Sequence, residues 1–391
     1  MRGKMKLAKR MSRLGTETAF EVLAKAKILE AEGVDVIHLE IGEPDFDTPE
    51  NVINAGSTAL LSGYTRYGPS PGLSELRDKI ADEISSTRKI PVSSENVVVT
   101  PGGKPIIFFC ALALIEPGDE VLYPNPGFPI YESMINFAGG TPVPMKLHEE
   151  LDFSFDIDEV INQVTDNTKM IIINSPNNPC GSVIPNSDLE ALARVAIDKD
   201  LIILSDEIYS RYLYEGSHQS ITKFPGLQER TVILDGFSKT YAMTGWRIGY
   251  GIMPIPLVEP ISRLMTNSVS CTASFTQIAA IEALTGSQEE ANKMVLEFKN
   301  RRNTIVNGLN QINGISCKIP KGAFYVFPNI KGTGLSSKTF ADDLLQKAGV
   351  ASLNGESFGE FGKDYIRLSF ANSTENILEA LNRIESFVKK L

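Results

Sequence analysis

Lys239 stands in the segment Thr231–Gly249, TVILDGFSKTYAMTGWRIG, between Ser238 and Thr240, with Arg247 eight residues further on. The segment opens as an apolar, β-branched run, Thr231 to Leu234, that reads as a buried strand, and it breaks into a turn at Gly236. A lysine at a strand's end, among small residues and near a fixed cation, has the surroundings of an amine nucleophile. Desolvation and a neighbouring positive charge lower its pKa, so more of it is free amine at neutral pH. An exposed loop lysine is the ordinary alternative for any single lysine.

Other chemically capable groups also follow apolar runs. Gly102-Gly103-Lys104-Pro105 comes after Val97–Thr100 and puts flexible backbone at a helix N-terminus, where free amides and the helix dipole favour a phosphate. A tight turn is the plainer reading. Phe128, in PNPGFPIY, offers a face to a planar cofactor or simply fills the core. Asn178 lies in NNPCG, an asparagine-rich turn after Lys169–Asn174. Asp206 and Tyr209 lie in SDEIY after Leu201–Ser205, where an acid also serves as a helix cap.

The elements that must position these groups form an alternating pattern. Thr18-Ala-Phe-Glu21 fits a capping box opening a helix to about Ala31, and Val36–Ile41 reads as a strand ending at Gly42. Helices are expected over 49–61, 73–84 and 187–199, with the loop YTRYGPSPG, which contains Tyr67, after the first. Strands are expected at Val97–Thr100, Glu120–Tyr123, Lys169–Asn174, Leu201–Ser205, Thr231–Leu234 and Ile248–Gly251. Short, continuously apolar strands between helices predict an open, mostly parallel α/β sheet, with its site at the strands' carboxyl ends. A long helix over 288–312, with Ala291, Val295, Phe298, Ile305, Leu309 and Ile312 on one stripe, leads into a second, α+β domain.

Composition narrows the function. A chain of 391 residues suggests two domains, and 48 acidic against 38 basic residues give a net charge of −10, without long single-sign blocks. That argues against nucleic acid or an anionic membrane as the main partner. Cys110, Cys180, Cys271 and Cys317 are widely spaced with no CxxC, which points to a reducing, cytoplasmic setting. No apolar run has the length of a membrane span, and the basic MRGKMKLAKR reads as a frayed, solvated N-terminus. His38, His148 and His218 have no metal-ligand spacing, so no metal is expected. Gly355-Glu-Ser-Phe-Gly359 matches a hydrolase nucleophile elbow, but no histidine follows it.

The string SKTYAMTGWRIG, with the motifs from Gly42 to Arg367 in order, resembles the class I/II aminotransferases. These are the fold type I enzymes that use pyridoxal 5′-phosphate (PLP), and the chain resembles their bacterial aspartate aminotransferases of the Gly-Gly-Lys subgroup. The resemblance implies a large PLP-binding domain, residues 50–290, with a mostly parallel seven-stranded sheet flanked by helices. It implies a smaller α+β domain from residues 1–49 and 291–391. Lys239, Asp206 and Tyr209 are the implied catalytic residues: Lys239 carries PLP covalently, Asp206 pairs with the pyridine nitrogen, and Tyr209 and Asn178 bind the phenolic oxygen. Phe128 would stack on the ring. The Gly103 and Lys104 amides, Ser238 and Arg247 would hold the phosphate, with Tyr67 reaching it across a homodimer interface.

On the substrate side, Arg367 in YIRLSF would grip the α-carboxylate with help from Asn178 and the Gly42 backbone. The Lys104 side chain would reach a distal carboxylate. The implied activity moves an amino group between an L-amino acid, aspartate favoured, and a 2-oxo acid, 2-oxoglutarate favoured, by a ping-pong mechanism. A transaminase for alanine or another neutral amino acid, and a PLP-dependent lyase, are the alternatives. The chain departs from the family pattern at Gly236, where many members carry a phosphate-binding serine, and at Cys180 in place of threonine. It also has Glu17 and Ala19 where relatives have small hydroxyl residues, and a carboxylate at 17 would repel a dicarboxylate or neutralise Lys104.

Overall fold

The structure is a computed structural model that describes residues 5–391. After a two-residue strand β1 (Ile37–His38), the chain builds a central eight-stranded sheet. Its strands are β2 (Val97–Thr100), β3 (Glu120–Asn125), β4 (Thr141–His148), β5 (Ser154–Phe155), β6 (Thr168–Asn174), β7 (Ile202–Asp206), β8 (Thr231–Gly236) and β9 (Gly249–Ile252). The spatial order is β2-β9-β8-β7-β6-β3-β4-β5. Strands β8, β7, β6, β3 and β4 are mutually parallel, and β9 runs antiparallel between β2 and β8. Since β9 opposes both neighbours, β2 points the same way as the parallel set. Thr100, Asn174, Asp206 and Gly236 therefore end at one edge.

The continuously apolar strands follow from cover on both faces. Along β2, Val97 and Val99 join one buried cluster with the helix Ser274–Thr285, while Val98 joins another with the helix Lys104–Leu114. Along β8, Ile233 faces the first cluster, and Val232 and Leu234 face the second.

Three expectations change. The sheet has eight strands rather than seven, because β5 folds back antiparallel against the end of β4. Strand β4, TPVPMKLH, escapes a sequence reading because of its two prolines. The Thr141 amide donates to Asp119 O towards β3, so the nitrogens of Pro142 and Pro144 point to the other side, where β4 is paired only at Leu147 and His148. Proline is tolerated on such an open edge. Thr18 is itself helical (φ −73°, ψ −16°) and makes no side-chain cap for the helix Ala19–Ala31, so the capping box does not form. The expected strand over 36–41 shrinks to β1, which pairs in parallel with β11 (Val350–Ala351). Of the basic N-terminal decapeptide, residues 1–4 lie outside the described residues and 5–10 are exposed.

The remaining strands, β10 (Tyr325–Val326), β12 (Leu353–Asn354) and β13 (Ile366–Ser369), form a small antiparallel sheet in the order β10-β13-β12. The long helix runs Glu289–Leu309 and packs Phe298, Ile305 and Leu309 beside Phe324, Phe340 and Phe370. Val295 of the expected stripe is only partly buried against that cluster.

A buried ionic network locks β7 and β8 to the helix Ser74–Arg88. Arg88 donates from Nε to Glu207 at 2.9 Å and from Nη2 to Asp235 at 2.7 Å. Glu207 also receives Ser220 Oγ at 2.6 Å, Ser205 Oγ at 3.0 Å and His218 Nε2 at 2.8 Å. Burial opposes its charge, but His218 and Arg88 outweigh that and hold the carboxyl below its ordinary range. Removing one partner of such a pair leaves an uncompensated buried charge. Glu207→Ala is therefore expected to lose about 3–5 kcal/mol in chemical denaturation. Glu259→Ala, which breaks the exposed Arg263–Glu259 pair of a helix, should change stability by about 0.5 kcal/mol or less.

Gly236 of β8 is paired with Gly249 of β9. A Cβ there would lie 2.9 Å from the Gly249 Cα, so a serine at this position meets backbone that cannot yield cheaply. Gly236→Ser is expected to cost about 1–3 kcal/mol, read as a lower denaturation midpoint. A substitution without that loss would contradict the close approach.

Candidate active site

The shared edge of the parallel strands opens onto a cavity of about 790 Å³. Lys239, Asp206, Tyr209, Asn178, Phe128, Gly103, Lys104, Ser238, Arg247, Gly42 and Arg367 all line it. These residues are far apart in the chain, and the topology alone explains their meeting. Tyr67 is the exception: it is 88% exposed and lines no part of this cavity.

Lys239 follows β8 and donates from Nζ to the Gly42 carbonyl at 2.5 Å. Burial lowers its pKa to about 8, with Glu43 opposing and Arg367, Lys104 and Arg247 reinforcing the shift. It is a desolvated amine on a half-buried residue, with a free fraction at neutral pH well above that of a surface lysine. Asp206 ends β7 and is almost wholly buried. Tyr131 Oη donates to its Oδ2 at 2.6 Å and the Ile208 amide to its Oδ1 at 3.2 Å, yet burial still pushes the carboxyl up to about 6. A carboxyl placed like this gains from a cationic hydrogen-bond donor.

Asn174 ends β6 and couples two of the site's elements: its Nδ2 donates to Asp206 O at 3.0 Å, and its Oδ1 receives the Asn178 amide at 2.9 Å. Tyr209 Oη lies 2.8 Å from Tyr325 Oη, and burial raises the Tyr209 phenol well above its ordinary range, which keeps it neutral. Phe128 packs edge-on against Tyr131 with ring centroids 5.8 Å apart.

At the opposite end, glycines create a cradle. Gly103 is the N-cap of Lys104–Leu114, with Pro105 as the second residue of that helix. A Cβ at Gly102 (φ +88°) would lie 2.3 Å from Arg247 Nη2, and one at Gly249 would lie 2.7 Å from Gly103 N. The missing side chains let a helix N-terminus, Arg247 and Ser238 converge, an arrangement suited to a phosphate. Arg247 donates to the Thr244 carbonyl at 2.8 Å and, among the described residues, pairs with no carboxylate.

Arg367, on β13, is buried between aromatic rings, 4.5 Å from the Tyr325 centroid and 5.1 Å from that of Phe358. Nη1 donates to Asn178 Oδ1 at 3.2 Å and Nη2 to the Glu40 carbonyl, while Nε is buried with no partner. A guanidinium left with an unsatisfied donor beside a cavity awaits an anionic acceptor.

Tyr131 and Tyr325 are among the lining residues that the sequence reading did not single out. Tyr131 lies one turn after Phe128 in PNPGFPIY, but nothing in that string shows that it reaches Asp206. Tyr325 is visible only through its partners, Tyr209, Arg367 and Gly42, where a Cβ would come 2.2 Å from the Tyr325 oxygen.

The site fits PLP. The glycine-walled cradle suits its phosphate, the desolvated Asp206 suits a protonated ring nitrogen, and the desolvated amine of Lys239 suits an aldehyde. Among the described residues, no helix is long and apolar enough to cross a membrane.

Comparison with known proteins agrees with this geometry. Residues 34–384 match the family model described as aminotransferase class I and II. An aspartate aminotransferase of Pyrococcus horikoshii is 42% identical over 90% of this chain and 90% of its own. The solved aspartate aminotransferase from Thermus thermophilus with maleate superposes with a TM-score of 0.94 at 37% identity, covering 99% of this chain and 100% of that one. An alanine aminotransferase from Pyrococcus furiosus superposes with a TM-score of 0.93 at 35% identity, with coverage of 99% and 100%. The cavity's chemistry and the match along nearly the whole chain lead to one conclusion: the chain belongs to the class I and II aminotransferases and is a PLP-dependent aminotransferase of fold type I.

Proposed function

We propose that this enzyme moves an amino group between aspartate and 2-oxoglutarate by a ping-pong mechanism, with Lys239, Asp206 and Tyr209 as its catalytic residues. The observation that carries the reading is Lys239, a desolvated amine with a pKa of about 8, in one cavity with the unsatisfied Arg367 guanidinium. PLP, when bound, supplies the electron-withdrawing ring that makes the substrate's α-proton acidic. Arg367 holds the α-carboxylate in a two-pronged pair, assisted by Asn178 and the Gly42 backbone. Lys239, freed from its covalent duty, takes the α-proton as a base whose lowered pKa suits neutral pH, and returns it during the other half of the exchange. Asp206 would keep a proton on the ring nitrogen, with Tyr131 orienting its carboxyl. Tyr209 and Asn178 would hold the phenolic edge, and Phe128 would stack on the ring. Gly103, Lys104, Ser238 and Arg247 would hold the phosphate. The same residues serve amino acid and oxo acid in turn, which is why the kinetics are ping-pong.

Two lobes, residues 50–290 and residues 1–49 with 291–391, are the proposed domains. A homodimer is proposed as the working form, with Tyr67 of each chain completing the other's phosphate site. The exposure of Tyr67, away from its own cavity, supports that role. The free thiols of Cys110, Cys180, Cys271 and Cys317 support a reducing cytoplasmic location.

Aspartate is favoured because Lys104 stands in the cavity as a cation for a distal carboxylate; alanine is the second reading, favoured by the pairing of Lys104 with Glu17. Initial rates with 2-oxoglutarate as acceptor, with oxo-acid products identified, test both. Lys239→Ala is expected to lose turnover, and Lys104→Ala to lower the aspartate-to-alanine ratio of kcat/KM about ten- to a hundredfold, the worth of one charge-assisted hydrogen bond. An unchanged ratio would remove Lys104 as the selector.

A further inference from the structure

Five lysines and arginines line the cavity, Lys27, Lys104, Lys239, Arg247 and Arg367, and they are not equivalent. Lys239 and Arg247 hydrogen-bond to backbone carbonyls, and Arg367 bonds to a carbonyl and a carboxamide. Lys27 pairs with Glu30, which is not a lining residue, whereas Lys104 is paired with the carboxylate of Glu17, itself a lining residue. The other lining carboxylates are engaged elsewhere: Glu43 takes the Thr244 hydroxyl, Asp45 pairs with Arg301, and Asp206 takes Tyr131.

The position of Glu17 is built by the chain around it. Gly15 donates its amide to Ser133 Oγ at 2.9 Å, which fastens the preceding backbone to the helix Ile130–Ala138. Two residues after Glu17 begins the helix Ala19–Ala31, which contributes Phe20 and Leu23 to the same cavity wall. Glu17 thus hangs between two anchored elements, with its carboxylate on the ammonium that a substrate's second carboxylate would seek. Phe20, Leu23 and Ile41 form the apolar part of the wall beside it.

We propose that Glu17 is a specificity-determining residue that acts as an internal stand-in for a substrate carboxylate. With the pair closed, Lys104 is neutralised and the wall receives uncharged side chains. A dicarboxylate must displace Glu17 and then bind beside it. This rests on the transaminase reading, and it adds that the enzyme serves two substrate classes, dicarboxylic and neutral. The magnitudes favour tuning over exclusion. The Lys104 side chain is 46% exposed, and an ion pair this exposed is worth a factor of about two to five in an equilibrium constant.

Calorimetric titration of the PLP-loaded protein with maleate, and with butyrate as a monocarboxylate control, tests the proposal without turnover. Glu17→Gln is expected to tighten maleate about fivefold and to move butyrate less than twofold. Glu17→Asp, which keeps the charge, should retain the wild-type selectivity. In a Lys104→Ala background the gain from Glu17→Gln should vanish, because the two residues act through one contact. A Glu17→Gln protein that binds maleate no tighter, or that shifts both ligands equally, overturns the proposal. Absence of turnover with every amino donor would instead strike the transaminase reading, since the maleate titration does not depend on it.

Discussion

The structure depends on one electrostatic constraint: a set of cations that includes Lys239, Arg247, Arg367 and Lys104 faces a single cavity in a chain whose net charge is −10. Desolvation and mutual repulsion hold the Lys239 pKa at about 8, and Arg367 keeps a buried donor without a partner. Such a site is incomplete without anions, and a phosphorylated cofactor with carboxylate substrates supplies them. Asp206 is the counterpart, a carboxyl pushed up to about 6 by burial, which gains from a protonated nitrogen.

Holding these groups against their own electrostatics needs a stiff frame. Asp206 and Glu207 are adjacent at the end of β7 and serve opposite ends. Asp206 enters the cavity, while Glu207 turns into the network with Arg88 and His218. Asp235 on β8 shares Arg88, so the strand that carries Asp206 and the strand that leads to Lys239 are fastened to one guanidinium. The glycines at 102, 236 and 249 do the complementary task of letting backbone and Arg247 approach.

Much of this was legible in the sequence where chemistry coincides with the end of an apolar run. Lys239, Asp206, Asn178 and Gly103 each follow a strand whose β-branched residues identify it, and the parallel order brings those ends to one edge. The identity of Gly236 was legible, but its reason was not: the close approach of Gly249 depends on strand pairing. Tyr131 and Tyr325 act through contacts across 75 and 116 residues, which no local pattern records. Strand β4 was hidden because prolines argue against a strand, and only its open edge makes them harmless. The Thr18 box failed for the opposite reason, since the right residue types took a helical backbone that left the cap unused.

The central claim is that the desolvated amine of Lys239, and not another cavity lysine, carries the cofactor. Borohydride reduction of the PLP-loaded protein makes a lysine-bound cofactor permanent, and peptide mass mapping then locates it. The account predicts a single phosphopyridoxyl adduct on the peptide that contains Lys239, with Lys104 unmodified. An adduct on Lys104, or none on Lys239 in protein that has turned yellow with PLP, would contradict it.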